Sequence, residues 1–218
     1  MSKPERIAIT GMAINTPLGD TLGGFRDALY AGKSAVTRWK KLDTSRIYAT
    51  GISNGGFMSS RLGCELSDWI AAIAVDAATI EANTIAPACN PGRSVPAMYI
   101  HGTEDGLVPI EGGEMTVGNG GFILSHAASL QLWAGINACD TVPETTNLPD
   151  IADDGTTITE TRYLNGTNRA EVVGYVVTGG GHTWPQGKQY LRERIIGKTS
   201  QDMNGCEEVW AFLRMWQR

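Results

Sequence analysis

Arg46-Ile47-Tyr48-Ala49-Thr50-Gly51-Ile52-Ser53-Asn54-Gly55-Gly56 is the stretch whose reading decides the fold. A short β-prone run ends on glycine, a serine stands between glycines two residues before and two after it, and apolar residues at helical spacing follow at Met58, Leu62 and Leu66. That is the form of a nucleophile elbow, a sharp strand-to-helix turn that lifts a serine hydroxyl above the end of a sheet. The glycines have a steric reason. Strand and helix close on each other at the turn, so a side chain at Gly51 or Gly55 is expected to collide. At the start of a helix, backbone N–H groups and the dipole face the serine and can steady a developing oxyanion. The Met58, Leu62, Leu66 series is expected to form the buried face of that helix. At this chain's glycine content the five-residue pattern arises by chance in about one sequence in six of this length. A base and an acid must therefore stand in corresponding places before it means anything.

Length and charge narrow the search. A chain of 218 residues can bury one good core, and one domain over 1–218 is expected. The net charge of -5 and the absence of any Lys/Arg cluster argue against nucleic acid or an anionic membrane as a partner. No apolar run approaches the ~18 residues a bilayer span requires. The start Met1-Ser2-Lys3-Pro4-Glu5-Arg6 lacks the apolar centre of a signal peptide, so no export signal is expected in it. Cys64, Cys89, Cys139 and Cys206 have no C-x-x-C or His/Cys metal spacing, which argues against zinc. Their even number and wide spacing leave open buried free thiols or two disulfides in any of three pairings.

Outward from the elbow, the chain alternates strand and helix signals. Upstream, Ile7-Ala8-Ile9-Thr10 is a β run closed by Gly11, and Thr21 can cap a helix bearing Leu22, Phe25, Leu29 and Tyr30 that stops near Gly32. Downstream, the continuous apolar run Ile70 to Val75 suits a strand buried on both faces. Ala77 to Arg93 reads as loop, and Pro96 opens the strand Ala97-Met98-Tyr99-Ile100. A Gly-rich excursion, Gly106 to Gly121, precedes a helix from about Ser125 to Asn137. Thr156 to Tyr163 alternates as a half-exposed strand, Asn165 to Asn168 turns it, and Ala170 to Val177 is a last buried strand. A final helix is capped near Asn204 and carries Val209, Trp210, Phe212, Leu213 and Trp216. This order predicts an α/β fold with a mostly parallel sheet flanked by helices, whose active edge lies at the carboxyl ends of the strands.

Three residues occupy equivalent places on that edge. Ser53 follows one strand, Asp105 lies just past a second, and His182 sits in the loop Gly179-Gly180-Gly181-His182-Thr183-Trp184-Pro185 after a third. The chain order Ser, Asp, His is the one expected of α/β-hydrolases. A serine hydroxyl needs a base to take its proton, imidazole can do so near neutral pH, and a carboxylate fixes the imidazole's tautomer. Each has competitors. Ser59 and Ser60 fall within the elbow helix and Ser200 reads as loop or cap. His101 reads as a turn residue at a strand end, and His126 belongs to a helix. Glu104, Asp76, Asp153 and Asp154 compete with Asp105.

Tyr48 to Gly56, Ile100 to Asp105 with Val108-Pro109, Gly179 to Pro185 and Gly197-Lys198-Thr199-Ser200 together resemble the polyhydroxybutyrate depolymerase and feruloyl esterase-like branch of α/β-hydrolases, over about residues 42–218. The resemblance implies a serine carboxylesterase for short acyl or simple aryl esters. It makes Ser53 the nucleophile, Asp105 the acid and His182 the base, with no cofactor and no metal. It also implies that Trp184 walls the acyl or alcohol pocket, the competing role being plain core. Its members are largely secreted, which points to a disulfide between Cys64 and Cys89 and, more weakly, one between Cys139 and Cys206.

The opening is different. Ile9-Thr10-Gly11-Met12, Pro17-Leu18-Gly19 and Ala31-Gly32-Lys33-Ser34-Ala35 resemble the start of a β-ketoacyl synthase, over about residues 1–41. No position here matches that family's catalytic cysteine or histidines. The hydrolase family's strands upstream of the elbow, one of which supplies an oxyanion donor, have no counterpart in this sequence. The expectation is a truncated α/β-hydrolase fold with a substituted strand-helix unit at its head. Asn54 then supplies one oxyanion N–H. If Ile7–Thr10, the Thr21 helix and the elbow strand form a right-handed βαβ unit, Gly11 or Met12 supplies the other. The alternatives are a catalytically impaired scaffold that needs a second chain to complete its sheet edge, and a partner-docking fragment; a homo-oligomer is left open.

Overall fold

Burial of one strand on both faces organises the protein. The structure is a computed structural model and describes Ala31 and residues 43–218 apart from Thr116 and Asn119. The expected strand Ile7–Thr10, its helix, and Gly11 and Met12 lie outside the described residues. The chain divides into two units between Leu42 and Asp43.

The second unit is built on a sheet of six strands in the order β1 (Ile47–Ile52), β2 (Ile70–Asp76), β3 (Ala97–Gly102), β8 (Val172–Thr178), β7 (Thr157–Tyr163), β6 (Glu144–Asn147). The first four are mutually parallel, and β7 and β6 are added antiparallel. β4 (Gly113–Glu114) and β5 (Phe122–Ile123) form a separate two-stranded ribbon within and after the Gly-rich excursion. The expected mostly parallel sheet flanked by helices is observed.

Side chains alternate across the sheet with period two, and the two sets lie in different cores. Ile73, Val75, Tyr99 and Val172 join one with Cys64 and Trp133. Ala72, Ala74, Met98, Ile100, Val173 and Tyr175 join the other with Val209, Phe212 and Leu213. The first face is covered by α1 (Asn54–Glu65) and α3 (His126–Ile136), the second by α5 (Gly205–Leu213). Helices on both faces explain why every residue of β2 is buried. α3 and α5 start where the sequence predicts: Ser125 Oγ accepts from the Ala128 amide at 3.0 Å, and Asn204 Oδ1 accepts from the Cys206 and Glu207 amides. The short helices α2 (Ile85–Ala88) and α4 (Glu193–Ile196) complete the set; α2 interrupts the expected 77–93 loop.

The buried face of α1 differs from the expectation. Met58 and Leu66 are 52% and 43% exposed, while Gly56, Ser59, Ser60, Gly63 and Cys64 face inward. The reason is close approach. A Cβ at Gly56 would lie 2.7 Å from that of Ala78, and one at Gly63 would lie 3.1 Å from both Ile73 and Trp133. Small residues let the helix sit directly on β2, and larger ones are turned outward. Ser60 uses the short distance to bond the Tyr99 hydroxyl, which also accepts from Trp133 Nε1.

Cys64 and Cys89 form a disulfide, joining α1 to the residue after α2. Cys139 and Cys206 are free thiols, contrary to the expected second bridge. Cys139 packs at the core beneath α3 and Cys206 begins α5, so the sheet lies between them.

Candidate active site

Ser53 stands between β1 and α1 with φ 56° and ψ -121°. This is a sparsely populated conformation for a residue with a side chain and costs about 1–3 kcal/mol. Two features hold it there. The Ser53 amide donates to the carbonyl of Asp76, at the end of β2, at 2.9 Å. The chain at Gly51 runs against Gly55, whose carbonyl carbon would lie 2.7 Å from any Cβ at 51. The expected crowding at Gly51 is thus present, whereas a Cβ at Gly55 would meet nothing within 4 Å; Gly55 supplies backbone to the close contact and its own side-chain position is open. The Ser53 hydroxyl does not cap α1. The first amides of α1, beginning with Asn54, have no partner within the helix and are available to an anion.

Asp105 follows β3 in a tight turn. Its Oδ1 accepts from the amides of Leu107 and Val108 at 2.9 and 2.8 Å, and its Oδ2 accepts from His182 Nδ1 at 2.7 Å. Burial alone would raise its pKa, but the His101 ring N–H 3.4 Å away, together with hydrogen bonds from His182 and the Val108 amide, outweighs that and holds the carboxyl well below the usual carboxylate range. The group is therefore a carboxylate, and the His182 proton that faces it is on Nδ1. That tautomer leaves Nε2 as the basic nitrogen.

The glycines before His182 let its loop fold back over β3. A Cβ at Gly102 would lie within 2.5 Å of the Gly180 and Gly181 carbonyl oxygens, and the Glu104 amide donates to Gly180 at 2.8 Å. His182 is anchored through its own backbone, its amide donating to Ile196 and its carbonyl accepting from the Tyr190 hydroxyl at 3.0 Å.

Asp105 and His182 are thus brought together. Ser53 lies on the same carboxyl edge of the parallel strands, but no hydrogen bond joins its hydroxyl to His182. Trp184 is partly buried against the α5-side core, next to Gly205. The competitors are accounted for. Ser59 and Ser60 lie within α1, and Ser200 accepts from Thr156 at 2.8 Å. Asp154 accepts from the Thr156 amide at 2.8 Å, and Glu104 and Asp153 are exposed. His126 opens α3, and burial foremost, then the neighbouring His101, pushes its pKa down to about 3.

Two further competitors stand at the edge. His101, read in sequence as a turn residue, belongs to β3 and is fully buried. Asp76 is 1% exposed with Oδ2 unpaired among the described residues. Burial and then the charge of Asp105 raise its pKa well above the ordinary value. It lies on the strand between those of Ser53 and Asp105. Only tertiary structure could show that both are buried.

Comparison with known proteins agrees with both resemblances. NocK of Nocardia uniformis subsp. tsuyamanensis, whose name is that of an esterase, is 28% identical over 187 residues, 82% of this chain and 54% of that protein. Feruloyl esterase B of Piromyces equi is 32% identical over 156 residues, 70% of this chain and 28% of that protein. Residues 4–78 match the model of the beta-ketoacyl synthase, N-terminal domain, so that match runs on past Leu42 through the elbow and β2. The chain is similar to esterases. It spans about half the length of the first relative and just over a quarter of the second.

Proposed function

We propose that this chain is a serine carboxylesterase hydrolysing short acyl or simple aryl esters, on a single α/β-hydrolase-like domain truncated upstream of the elbow. The observation that carries this reading is the 2.7 Å bond from His182 Nδ1 to a buried Asp105 carboxylate, on the sheet edge where Ser53 is held at φ 56°. Its similarity to proteins named as esterases supports the same reaction class.

Ser53 Oγ attacks the ester carbonyl while His182 Nε2 takes its proton. The tetrahedral intermediate collapses as imidazolium protonates the departing alcohol, leaving an acyl group on Ser53. Water, deprotonated by His182, then releases the acid and restores the hydroxyl. The Asp105 carboxylate keeps the ring oriented and balances its positive charge. No step calls for a cofactor. The absence of a Ser53–His182 hydrogen bond is compatible with this, since such bonds are often long without substrate and tighten in the reacting complex. Trp184 is assigned to the pocket wall.

For the oxyanion, the Asn54 amide is one donor. Gly11 and Met12, the candidates for the second donor, lie outside the described residues. Met12→Pro and Gly11→Pro each remove one N–H, and the one that contributes is expected to lower kcat about 10²- to 10³-fold.

The deciding experiment is labelling with a fluorophosphonate. Stoichiometric modification of Ser53, its loss in Ser53→Ala, and a fall of at least ~10⁴-fold in p-nitrophenyl ester hydrolysis by that variant are expected. An unlabelled wild-type protein would instead favour a second reading, a hydrolase scaffold without turnover. The missing bond between Ser53 and His182 is the observation behind it.

A further inference from the structure

His101, the fifth residue of β3, has no exposed surface, and a ring N–H buried so completely needs an acceptor, because an orphaned donor costs about 1–3 kcal/mol. Its Nε2 lies 2.8 Å from the carbonyl oxygen of Val108 and 3.4 Å from Oδ2 of Asp105. A carbonyl only accepts, so Nε2 carries the proton and donates to Val108. At 3.4 Å the carboxylate is too far for a second full bond, yet close enough to feel the positive end of the N–H.

Both contacts close one small circuit. The hydrogen bonds from Leu107 and Val108 fix the Asp105 carboxylate relative to its own turn, but they do not fix the turn relative to the sheet. The His101 bond does. It ties Val108 back to β3, at the position paired with Val176 of β8, and β8 is the strand that delivers His182. The ring cannot easily rotate away, since His126 packs on it edge to face with centroids 5.9 Å apart.

We propose that His101 is a positioning residue for the ester hydrolysis, holding the 105–108 turn so that Asp105 Oδ2 meets His182 Nδ1. This rests on the assignment of Ser53, Asp105 and His182 made above. A displacement of about 1 Å in such a constellation costs about 100-fold in rate, which sets the scale of the effect.

The test uses His101→Leu and His101→Gln in the full chain, with p-nitrophenyl acetate hydrolysis and the far-downfield proton resonance of His182 Nδ1–H as readouts. His101→Leu is expected to lose about 10- to 100-fold in kcat with little change in KM, and to lose or displace that resonance. His101→Gln, whose amide reaches the same carbonyl, is expected to restore both. If His101→Leu does not fold, His101→Asn takes its place, its amide being too short to reach Val108. A leucine variant that melts lower but keeps wild-type kcat and the resonance overturns the proposal, as does a glutamine variant no better than leucine. Ser53→Ala separates the two levels. Hydrolysis that survives it removes the assignment of Ser53 as nucleophile, while the resonance still judges His101.

Discussion

The carboxyl groups of Asp105 and Asp76, at the ends of neighbouring strands, have opposite environments. Asp105 is buried but receives hydrogen bonds on both oxygens and stays ionised. Asp76, one strand away, is buried with Oδ2 unpaired among the described residues, and burial followed by the charge of Asp105 drives its pKa up. A carboxyl with a raised native pKa is destabilising wherever the unfolded chain would already have released the proton. Its cost therefore begins near pH 4, the ordinary aspartate value, and grows as pH rises toward the native pKa. Asp76→Asn is expected to melt higher than the wild type, by more at pH 8 than at pH 5. Equal melting temperatures for the two proteins at both pH values would contradict this. Ser53, Asp105 and His182 were legible as candidates because each follows a strand signal in the chain. The contact made by His101 was not, since its partner carbonyl at Val108 is set by a turn whose path no local pattern encodes.

Among the elements, the β1-to-α1 turn makes the sharpest demand on sequence. Gly51→Ala would drive a methyl group into the backbone of Gly55, and its expected cost is about 2–3 kcal/mol, with loss of the proposed esterase rate. Gly55→Ala meets open space and gains helix propensity at the start of α1, so its stability is expected to match or slightly exceed that of the wild type. Urea denaturation of the two variants checks the contrast, and similar losses in both would count against the packing described for this turn. The turn and β2 could be read from the chain because glycine spacing and a continuous apolar run are local. The buried face of α1 could not: a Met58, Leu62, Leu66 stripe looks like core until Ile73 and Trp133 arrive from elsewhere and admit only small residues. β6 was equally illegible. All of Glu144–Asn147 is exposed, and it is a strand because β7 offers it a partner.

For the molecule as a whole, the fold class was legible from strand and helix order, and the Cys64–Cys89 bridge from family resemblance. The pairing of Cys139 with Cys206 failed because a linear sequence does not tell which residues a sheet will separate. The bridge closes a loop of 25 residues in sequence separation, for which chain entropy gives about 3.5 kcal/mol. Reduction is expected to lower the unfolding free energy by about 2–4 kcal/mol; a urea midpoint unmoved by reductant would deny the bridge that role. Much of a typical domain's margin is of that size. The choice of production host is then part of the experiment: recombinant material made where glutathione keeps thiols reduced would leave the purification column as a softer protein than the same gene product matured in a periplasm or secretory lumen. Preparations of identical sequence could differ in shelf life and protease resistance for that reason alone.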